Sequence, residues 1–238
     1  VKYETTIIDG ILFIKQNDSR LIKWSPISHI YSKVELYVSK DVFKDLIVKC
    51  STGDITINNG MTFENANIHT STGKITLSSD ISNNLEVSTS TGDIVLNGLE
   101  SKPLLNVKTS TGDINIKDCA NINDIKIESS TGDINFTNVN CESLNVEITT
   151  GTTKLYKVIV SNDMNIQGST GDIIFNECDA LNINVKLTTG DVKGTLLSSK
   201  FFIVKSDTGK ETVPASRDGG DCIINTTTGD ITMTIKGE

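Results

Sequence analysis

The most regular set of chemically active side chains in this sequence is a row of aspartates. The motif Ser-Thr-Gly-Asp-Ile, or a close variant of it, returns every 19 or 20 residues from Ser51 onward. A carboxylate directly follows most of the motif glycines, at Asp54, Asp93, Asp113, Asp133, Asp172, Asp191 and Asp230. Such a row could bind calcium, since hard cations prefer several oxygen ligands. The alternative is that each Asp accepts hydrogen bonds from the amides of its own turn.

The spacing of the motif favours the structural role over the calcium site. Calcium-binding solenoids use dense Gly-Gly-x-Gly-x-Asp nonapeptides, whose ligands come from both sides of a turn. Each repeat of this chain offers a single carboxylate after its glycine. We therefore predict no metal site and no cofactor, and we keep the aspartates as candidates for a binding surface.

Asparagines form a second row, at the sixth position before the motif glycine, where the pattern predicts outward side chains. Stacked amides can hydrogen-bond to one another along a solenoid, and they could equally contact a glycan. The predicted binding surface combines both rows and comprises Asp93, Asp113, Asp133, Asp172, Asp191, Asn145, Asn165 and Asn184.

Runs such as Thr109-Ser110-Thr111 are a third candidate, because flat threonine arrays on β-solenoids can bind ice or crystalline surfaces. Later repeats place Ile148 and Leu187 where the first of these threonines stands. An apolar residue in that row indicates that it faces inward. We therefore predict that these threonines do not form a binding surface.

The sequence offers no arrangement typical of an enzyme. A glycan-cleaving solenoid needs paired carboxylates or a basic side chain acting as a base in a groove. The outward charges of this chain are scattered among mixed neighbours, and His29 and His69 lie far apart in sequence. We predict that the protein has no catalytic residues.

Apolar residues alternate with polar ones on both sides of each motif glycine. In one repeat, Leu105 and Val107 precede Gly112, and Ile114 and Ile116 follow it. Alternation with a period of two predicts two short half-buried strands per repeat. The glycine supplies the bend between them, because it adopts φ angles that other residues resist.

This fixed period is typical of a solenoid, in which each coil stacks on the coil before it in sequence. Like strands then pair in parallel, and parallel crossovers are overwhelmingly right-handed. The sequence thus predicts an all-β fold: a single-stranded, parallel, right-handed β-solenoid (β-helix) of about ten coils of 19–20 residues.

Residues 1–45 lack the repeat and hold half of the aromatic residues, among them Trp24 and Tyr31. We predict that 1–45 is an N-terminal β cap that includes the first strands, and that 46–238 forms the solenoid repeats of one continuous domain. The segment Glu211 to Asp221 breaks the period and is predicted to be a loop that bulges from the penultimate coil. The far end is then open and is a candidate for end-to-end self-association.

Composition excludes several classes of partner. The formal net charge is -8 and no basic cluster is present, so neither nucleic acid nor anionic lipid is an expected ligand. The five cysteines are odd in number and without close pairs, which argues against disulfides and zinc. No apolar run approaches the roughly 20 residues of a membrane span. A leader or membrane anchor could precede residue 1.

The residues also resemble a known family. Val34-Glu35-Leu36-Tyr37-Val38, then Leu46-Ile47-Val48, then the Ser-Thr-Gly-Asp-Ile repeats are similar to the bacterial adhesin-type β-strand-repeat domains. The resemblance runs from about Val34 to the end of the chain. It implies an extracytoplasmic location in the bacterial envelope, and it supplies no catalytic residues. The adhesin label itself is an analogy at the level of the fold.

The sequence therefore supports one leading function and two alternatives. The leading expectation is a non-enzymatic adhesion or binding module that presents a rigid surface to a glycan, cell-wall or protein partner. The first alternative is a scaffolding or regulatory domain of an envelope-stress system, which would contact a partner protein. The second is an enzyme that acts on polysaccharide.

Overall fold

The structure is a computed structural model that describes residues 2–8, 11–17, 34–38, 42–216 and 218–237. The described residues form β-strands and no helix, so no helix in these ranges is long and apolar enough to cross a membrane. The chain divides into two compact units, Val1–Ser39 and Lys40–Glu238. In the first unit, β1 (Lys2–Ile8) and β2 (Ile11–Asn17) pair as an antiparallel hairpin.

The second unit consists of sixteen strands in one parallel sheet system. They are β3 (Val42–Thr52), β4 (Ile55–Ile57), β5 (Thr62–Thr72), β6 (Ile75–Leu77), β7 (Asp80–Thr91), β8 (Ile94–Asn97), β9 (Leu104–Thr111), β10 (Ile114–Thr131), β11 (Ile134–Thr150), β12 (Thr153–Thr170), β13 (Ile173–Thr189), β14 (Val192–Leu196), β15 (Phe201–Ser206), β16 (Glu211–Thr212), β17 (Asp221–Thr228) and β18 (Ile231–Ile235).

These strands wind into a β-solenoid, which confirms the predicted fold. We number the coils 1 to 10 by their glycines, Gly53, Gly73, Gly92, Gly112, Gly132, Gly151, Gly171, Gly190, Gly209 and Gly229. Equivalent residues of neighbouring coils pair with one another, as Val107 does with Val87 and Ile127. The handedness of the coils stays a prediction.

Alternate residues of each strand point into the coil and form the core. Val107, Ile114, Ile116 and Ile127 are fully buried, as the predicted register requires. The first threonine of each Thr-Ser-Thr run also faces inward, as predicted, whereas the second, directly before the glycine, is exposed. Thr70 Oγ1, for example, donates a hydrogen bond to the Gly53 carbonyl of the preceding coil at 3.3 Å.

The coils in the middle of the stack have three buried sides, not the two that the sequence predicts. A third inward row stands seven residues after the glycine and comprises Leu99, Cys119, Val139, Val158 and Cys178, all fully buried. The corner before it is a residue in the left-handed region: Gly98, Asp118, Asn138, Lys157 or Glu177, with φ between 50° and 71°. Only one of these five is glycine, so the sequence carries no clear sign of this corner.

The motif glycines stack closely because each bend lies directly against the bend of the neighbouring coil. Gly112 has a φ of 137°, and a Cβ added there would clash with the carbonyl of Gly92. Most non-glycine residues avoid this backbone region. Glycine is therefore required at the bend for both conformation and space.

Coils 9 and 10 stand in reverse order in the stack. Strand β17 of coil 10 pairs with β13 on one side and with β15 of coil 9 on the other. Strand β18 likewise lies between β14 and β16. The expectation that every coil stacks on its predecessor is therefore wrong at this end, where coil 9 is the last coil in space.

The chain crosses between these levels through closely packed segments. Lys200 follows coil 8, is 4% exposed, and places its Nζ 2.7 Å from Asp179 Oδ1 and 2.6 Å from Ser198 Oγ. On the return, the carbonyl of Gly220 accepts the Phe201 N–H at 2.9 Å, and a Cβ on Gly220 would clash with the Leu181 carbonyl. The predicted bulging loop is thus wrong for this part of the insertion, which lies between coils 8 and 9.

The first 45 residues are described only in part. Trp24 and Tyr31 of the predicted cap lie outside the described residues. The first strand of the solenoid begins at Val42. The predicted division at residue 45 and the capping of the solenoid by residues 1–45 stay predictions.

Candidate binding surface

The first side of coils 4–8 carries a continuous polar face. We define it as the outward residues at the sixth, fourth and second positions before the glycine, on strands β9 to β13. They are Asn106, Lys108, Ser110, Lys126, Glu128, Ser130, Asn145, Glu147, Thr149, Asn165, Gln167, Ser169, Asn184, Lys186 and Thr188. Parallel pairing in register aligns equivalent residues along the stack, for example Lys126 beside Asn106 and Asn145.

A shallow groove of about 490 Å³ runs along this face from coil 4 to coil 8. Its polar walls are the residues at the fourth and second positions before the glycine, and its floor is the row between them. In coils 6 to 8 the floor consists of Ile148, Gly168 and Leu187. A Cβ on Gly168 would lie 2.7 Å from Leu187 Cδ1, so the apolar side chains of the neighbouring coils fill the space on the inner side of this glycine.

The charges of the groove divide into a paired and an unpaired part. Glu128 Oε2 accepts a hydrogen bond from Lys108 Nζ at 2.7 Å, and Glu128 Oε1 lies 2.8 Å from Lys126 Nζ. The hydrogen bonds from these two lysines lower the pKa of Glu128 from 4.5 to about 2. Within the described part of the chain, Glu147 and Lys186 have no hydrogen-bonding or ion-pair partner for their side chains. Their charged groups are available to a ligand.

The predicted asparagine row lies on the polar face. Asn165 Nδ2 donates to Asn145 Oδ1 at 3.0 Å, and Asn184 is the partner of Asn165 in the next coil. Part of this row therefore forms the amide ladder that the sequence allows, and the face positions it beside the groove. Asn145, Asn165 and Asn184 do not themselves line the groove.

The predicted aspartate row has a defined structural role. Oδ1 of Asp93, Asp113, Asp133, Asp172 and Asp191 accepts the backbone N–H of the equivalent residue in the next coil, at 2.8–3.0 Å. The acceptor thus bridges two coils, so the idea that each Asp caps its own turn is wrong. The second carboxylate oxygen of Asp133, Oδ2, also accepts a hydrogen bond from Lys154 Nζ at 3.3 Å.

The structure separates the two predicted rows. The aspartates follow the glycine bend, whereas the asparagines and the groove lie on the strand before it. None of the eight predicted residues lines the groove, and whether they bind a ligand stays a prediction. The sequence reasoning missed Glu147, Gln167 and Lys186. The sequence does contain one indication of them. In the same coils, the third position before the glycine changes from Thr to Ile148, Gly168 and Leu187.

Among the described residues, which do not include His29, the cysteines and His69 form no reactive group with one another. Cys119, Cys141, Cys178 and Cys222 lie in the core, and burial raises the pKa of Cys141 to about 12. His69 Nδ1 lies 2.9 Å from Ser88 Oγ of the next coil. Across the residues that the structure describes, no three His, Cys, Asp or Glu side chains are grouped to hold a metal ion.

A comparison with protein families found one match that covers most of the chain. The family model described as Toastrack DUF4097 matches residues 9–121 and, a second time, residues 105–238. No curated protein and no solved structure matches this sequence.

Proposed function

We propose that this chain, which belongs to the Toastrack DUF4097 family, is a non-enzymatic binding module whose polar face holds an extended glycan or cell-wall polymer. The observation that carries this proposal is the groove along coils 4–8, with the side chains of Glu147 and Lys186 unpaired within the described chain. The adhesin label and the envelope location belong to the same proposal. They rest on the resemblance in the repeats.

The shape of the groove fits a linear ligand. Neighbouring coils are about 4.8 Å apart, so a groove from coil 4 to coil 8 is about 19 Å long. The stacked coils repeat the same outward positions at each step, and they present amides, hydroxyls and charges in parallel rows. A polymer with a short repeat and many hydroxyl groups would meet a donor or acceptor at each coil.

We propose binding rather than cleavage because of the state of the carboxylates. Glu128 and Glu147 are partners in adjacent coils, so two carboxylates do stand side by side. A general acid needs a raised pKa. Two lysines instead lower the pKa of Glu128 to about 2, which keeps this carboxylate ionised.

The first test is binding of the purified protein to a panel of glycans and peptidoglycan, with and without calcium. We expect a specific interaction that Glu147→Ala/Lys186→Ala weakens at least tenfold. The matched control is Lys117→Ala/Asn176→Ala, which removes two exposed side chains from another side of the coils. An equal loss in both double variants, or no binding to the panel, would overturn the glycan proposal.

A second candidate function is a scaffolding domain that contacts a protein of an envelope-stress system. The observation that favours it is exposed apolar surface in the first unit, where Ile7 is 72% and Tyr37 is 86% exposed. Exposed apolar patches mark sites of interaction. A blank glycan panel together with capture of one defined protein, lost in Ile7→Lys/Tyr37→Ser, would favour this candidate.

A further inference from the structure

We propose that coil 9 is a built-in end cap, which occupies the outermost level out of sequence order and closes the solenoid to a second copy of this chain. Ser206, Lys210 and Glu211 of this coil carry the role. Three observations support it, and none of them involves the groove. The inference therefore goes beyond the proposed binding function and does not depend on it.

The first support is the composition of coil 9 after its glycine. Coils 1, 3, 4, 5, 7 and 10 continue with Asp-Ile, whereas coil 9 continues with Lys210-Glu211. The second residue after the glycine is buried in every other coil, as Ile231 is in coil 10. Placing Glu211 in that row between two coils would bury a carboxylate, which is unfavourable without a partner. Coil 10, with Ile231 at this position, can therefore lie between two other coils. Coil 9, with Glu211, can have a neighbouring coil on one side only.

The second support is the way coil 9 satisfies its own backbone. Alternate N–H groups of a parallel strand point to opposite neighbours, and Phe201 N–H points to coil 10, where it meets the Gly220 carbonyl. Ser206 N–H therefore points to the open side. It donates to Oε1 of Glu211 at 2.6 Å. A side chain thus takes the place that a carbonyl of a further coil would occupy.

The motif glycine of coil 9 is satisfied in a similar way. In coils 1 to 8 this N–H donates to the threonine carbonyl of the next coil, as Gly190 N–H does to Thr228 at 2.8 Å. Gly209 N–H instead donates to Ser206 Oγ of its own coil at 2.8 Å. The same Ser206 hydroxyl donates to the Gly229 carbonyl of coil 10 at 2.7 Å. Ser206 therefore closes the bend on both sides.

The third support is the end of the aspartate row. Asp191 accepts the amide of Asp230, and Asp230 accepts the amide of Lys210 at 2.8 Å. Lys210 has no carboxylate with which to accept an amide from a further coil. The row of contacts, which Lys74 and Thr152 interrupt inside the stack, therefore ends at coil 9.

The cap matters because this end still presents apolar side chains. Phe202, Val204 and Val213 pack on the core and remain half-buried. Phe201 and Ile203 are 41% and 47% exposed on the same coil. An unprotected strand edge of this kind pairs with other chains, and charged side chains are a common protection. A second copy is the occupant that fits best, because its own coils have the same width and spacing.

The test converts the cap into an ordinary coil with Lys210→Asp/Glu211→Ile, which introduces the Asp-Ile sequence that six of the other coils carry. We expect the wild-type mass by light scattering to be that of a monomer, and the mass of the variant to at least double as concentration rises. Glu64→Ile adds the same side chain at an exposed strand position of coil 2, and it should keep the wild-type mass. The proposal would be overturned if the wild type itself associated and Ile203→Lys abolished that association. It would also be overturned if the double variant stayed a monomer, or if Glu64→Ile associated as strongly as the double variant.

Amide hydrogen exchange gives a second measurement that does not depend on association. Glu211→Ala removes the acceptor of Ser206 N–H and should speed its exchange at least tenfold. Glu211→Gln keeps an oxygen at that place and should keep most of the protection. Equal exchange of Ser206 N–H in the wild type and in Glu211→Ala would contradict a capping role for Glu211.

Discussion

Oδ1 of Asp113 accepts the backbone N–H of Asp133, the residue at the same position of the next coil, at 2.8 Å. The contact repeats along the stack wherever the motif carries aspartate. Where it occurs, it gives the amide after the glycine of the next coil an acceptor. The recurrence of Asp in the motif thus has a structural cause that is independent of any ligand.

We expect Asp113→Ala to lower the free energy of unfolding by about 1 kcal/mol, because the half-buried Asp133 N–H loses its acceptor. Asp113→Asn keeps a side-chain oxygen and should lose less. Asp124→Ala is the control, since Asp124 is exposed and its carboxylate forms no hydrogen bond within the described residues. Urea unfolding measures all three variants. Equal stability of Asp113→Ala and the wild type would show that this contact contributes nothing.

The bend itself should be far less tolerant than the residue after it. Gly112→Ala places a Cβ against the Gly92 carbonyl at a φ of 137°, and we expect a loss on the order of 3 kcal/mol or more. Thermal or urea unfolding gives the value.

Gly98 provides the matched control for Gly112. Its φ is 71°, and a Cβ built there has no neighbour within 4 Å. Asparagine tolerates this left-handed region better than most residues, so Gly98→Asn should cost less than about 1 kcal/mol. If Gly112→Ala were as mild as Gly98→Asn, the close approach of the bends would not constrain the fold.

The repeated part of the fold could be predicted from the sequence because a strict period of alternating residues determines it. Val107 and Ile127 occupy the same row by simple counting, and the structure pairs them. The third side could not be predicted in this way. Its corner uses Lys157 and Glu177 as readily as glycine, and the length of the segment that follows varies between coils.

The order of the last two coils and the groove depend on exceptions to the repeat rather than on the repeat. Glu211 in an apolar row is the residue that favours the outer level for coil 9. Gly168, between Ile148 and Leu187, marks coils 6 to 8, over which the second half of the groove runs. Counting equivalent positions finds what the coils share, and these features depend on where single coils differ. The asparagine and aspartate rows were found because they recur, and neither row lines the groove.

The ion pairs of Glu128 should make stability depend on pH at the acidic end. The pKa of this carboxyl falls from 4.5 to about 2 in the folded chain, because Lys108 and Lys126 hydrogen-bond to its ionised form. Its contribution is therefore fully present above about pH 4.5 and is lost as the pH falls towards 2. We expect Glu128→Gln to lower the free energy of unfolding by about 0.5 kcal/mol at pH 7, a typical value for a surface ion pair.

The difference between Glu128→Gln and the wild type should shrink as the pH is lowered from about 5 to about 2. Urea unfolding at a series of pH values measures it. In a Lys108→Met/Lys126→Met background the same substitution should have no such pH dependence. A difference that stays constant with pH in the wild-type background would show that the lysines do not stabilise the carboxylate.

The left-handed corner at Lys157 should be a place where the chain can be made more stable. Its φ of 53° is unfavourable for a residue with a side chain such as lysine, by about 1 kcal/mol. The side chain is exposed, and its Nζ lies 5.1 Å from the centre of the Tyr156 ring. We therefore expect Lys157→Gly to raise the free energy of unfolding by about 0.5–1 kcal/mol, and Lys157→Asn by less.

The control is Lys117→Gly, at an exposed strand position, which should instead lower the free energy of unfolding by about 0.5–1 kcal/mol. Urea unfolding compares the three, and a loss of stability in Lys157→Gly equal to that in Lys117→Gly would contradict the strain at this corner.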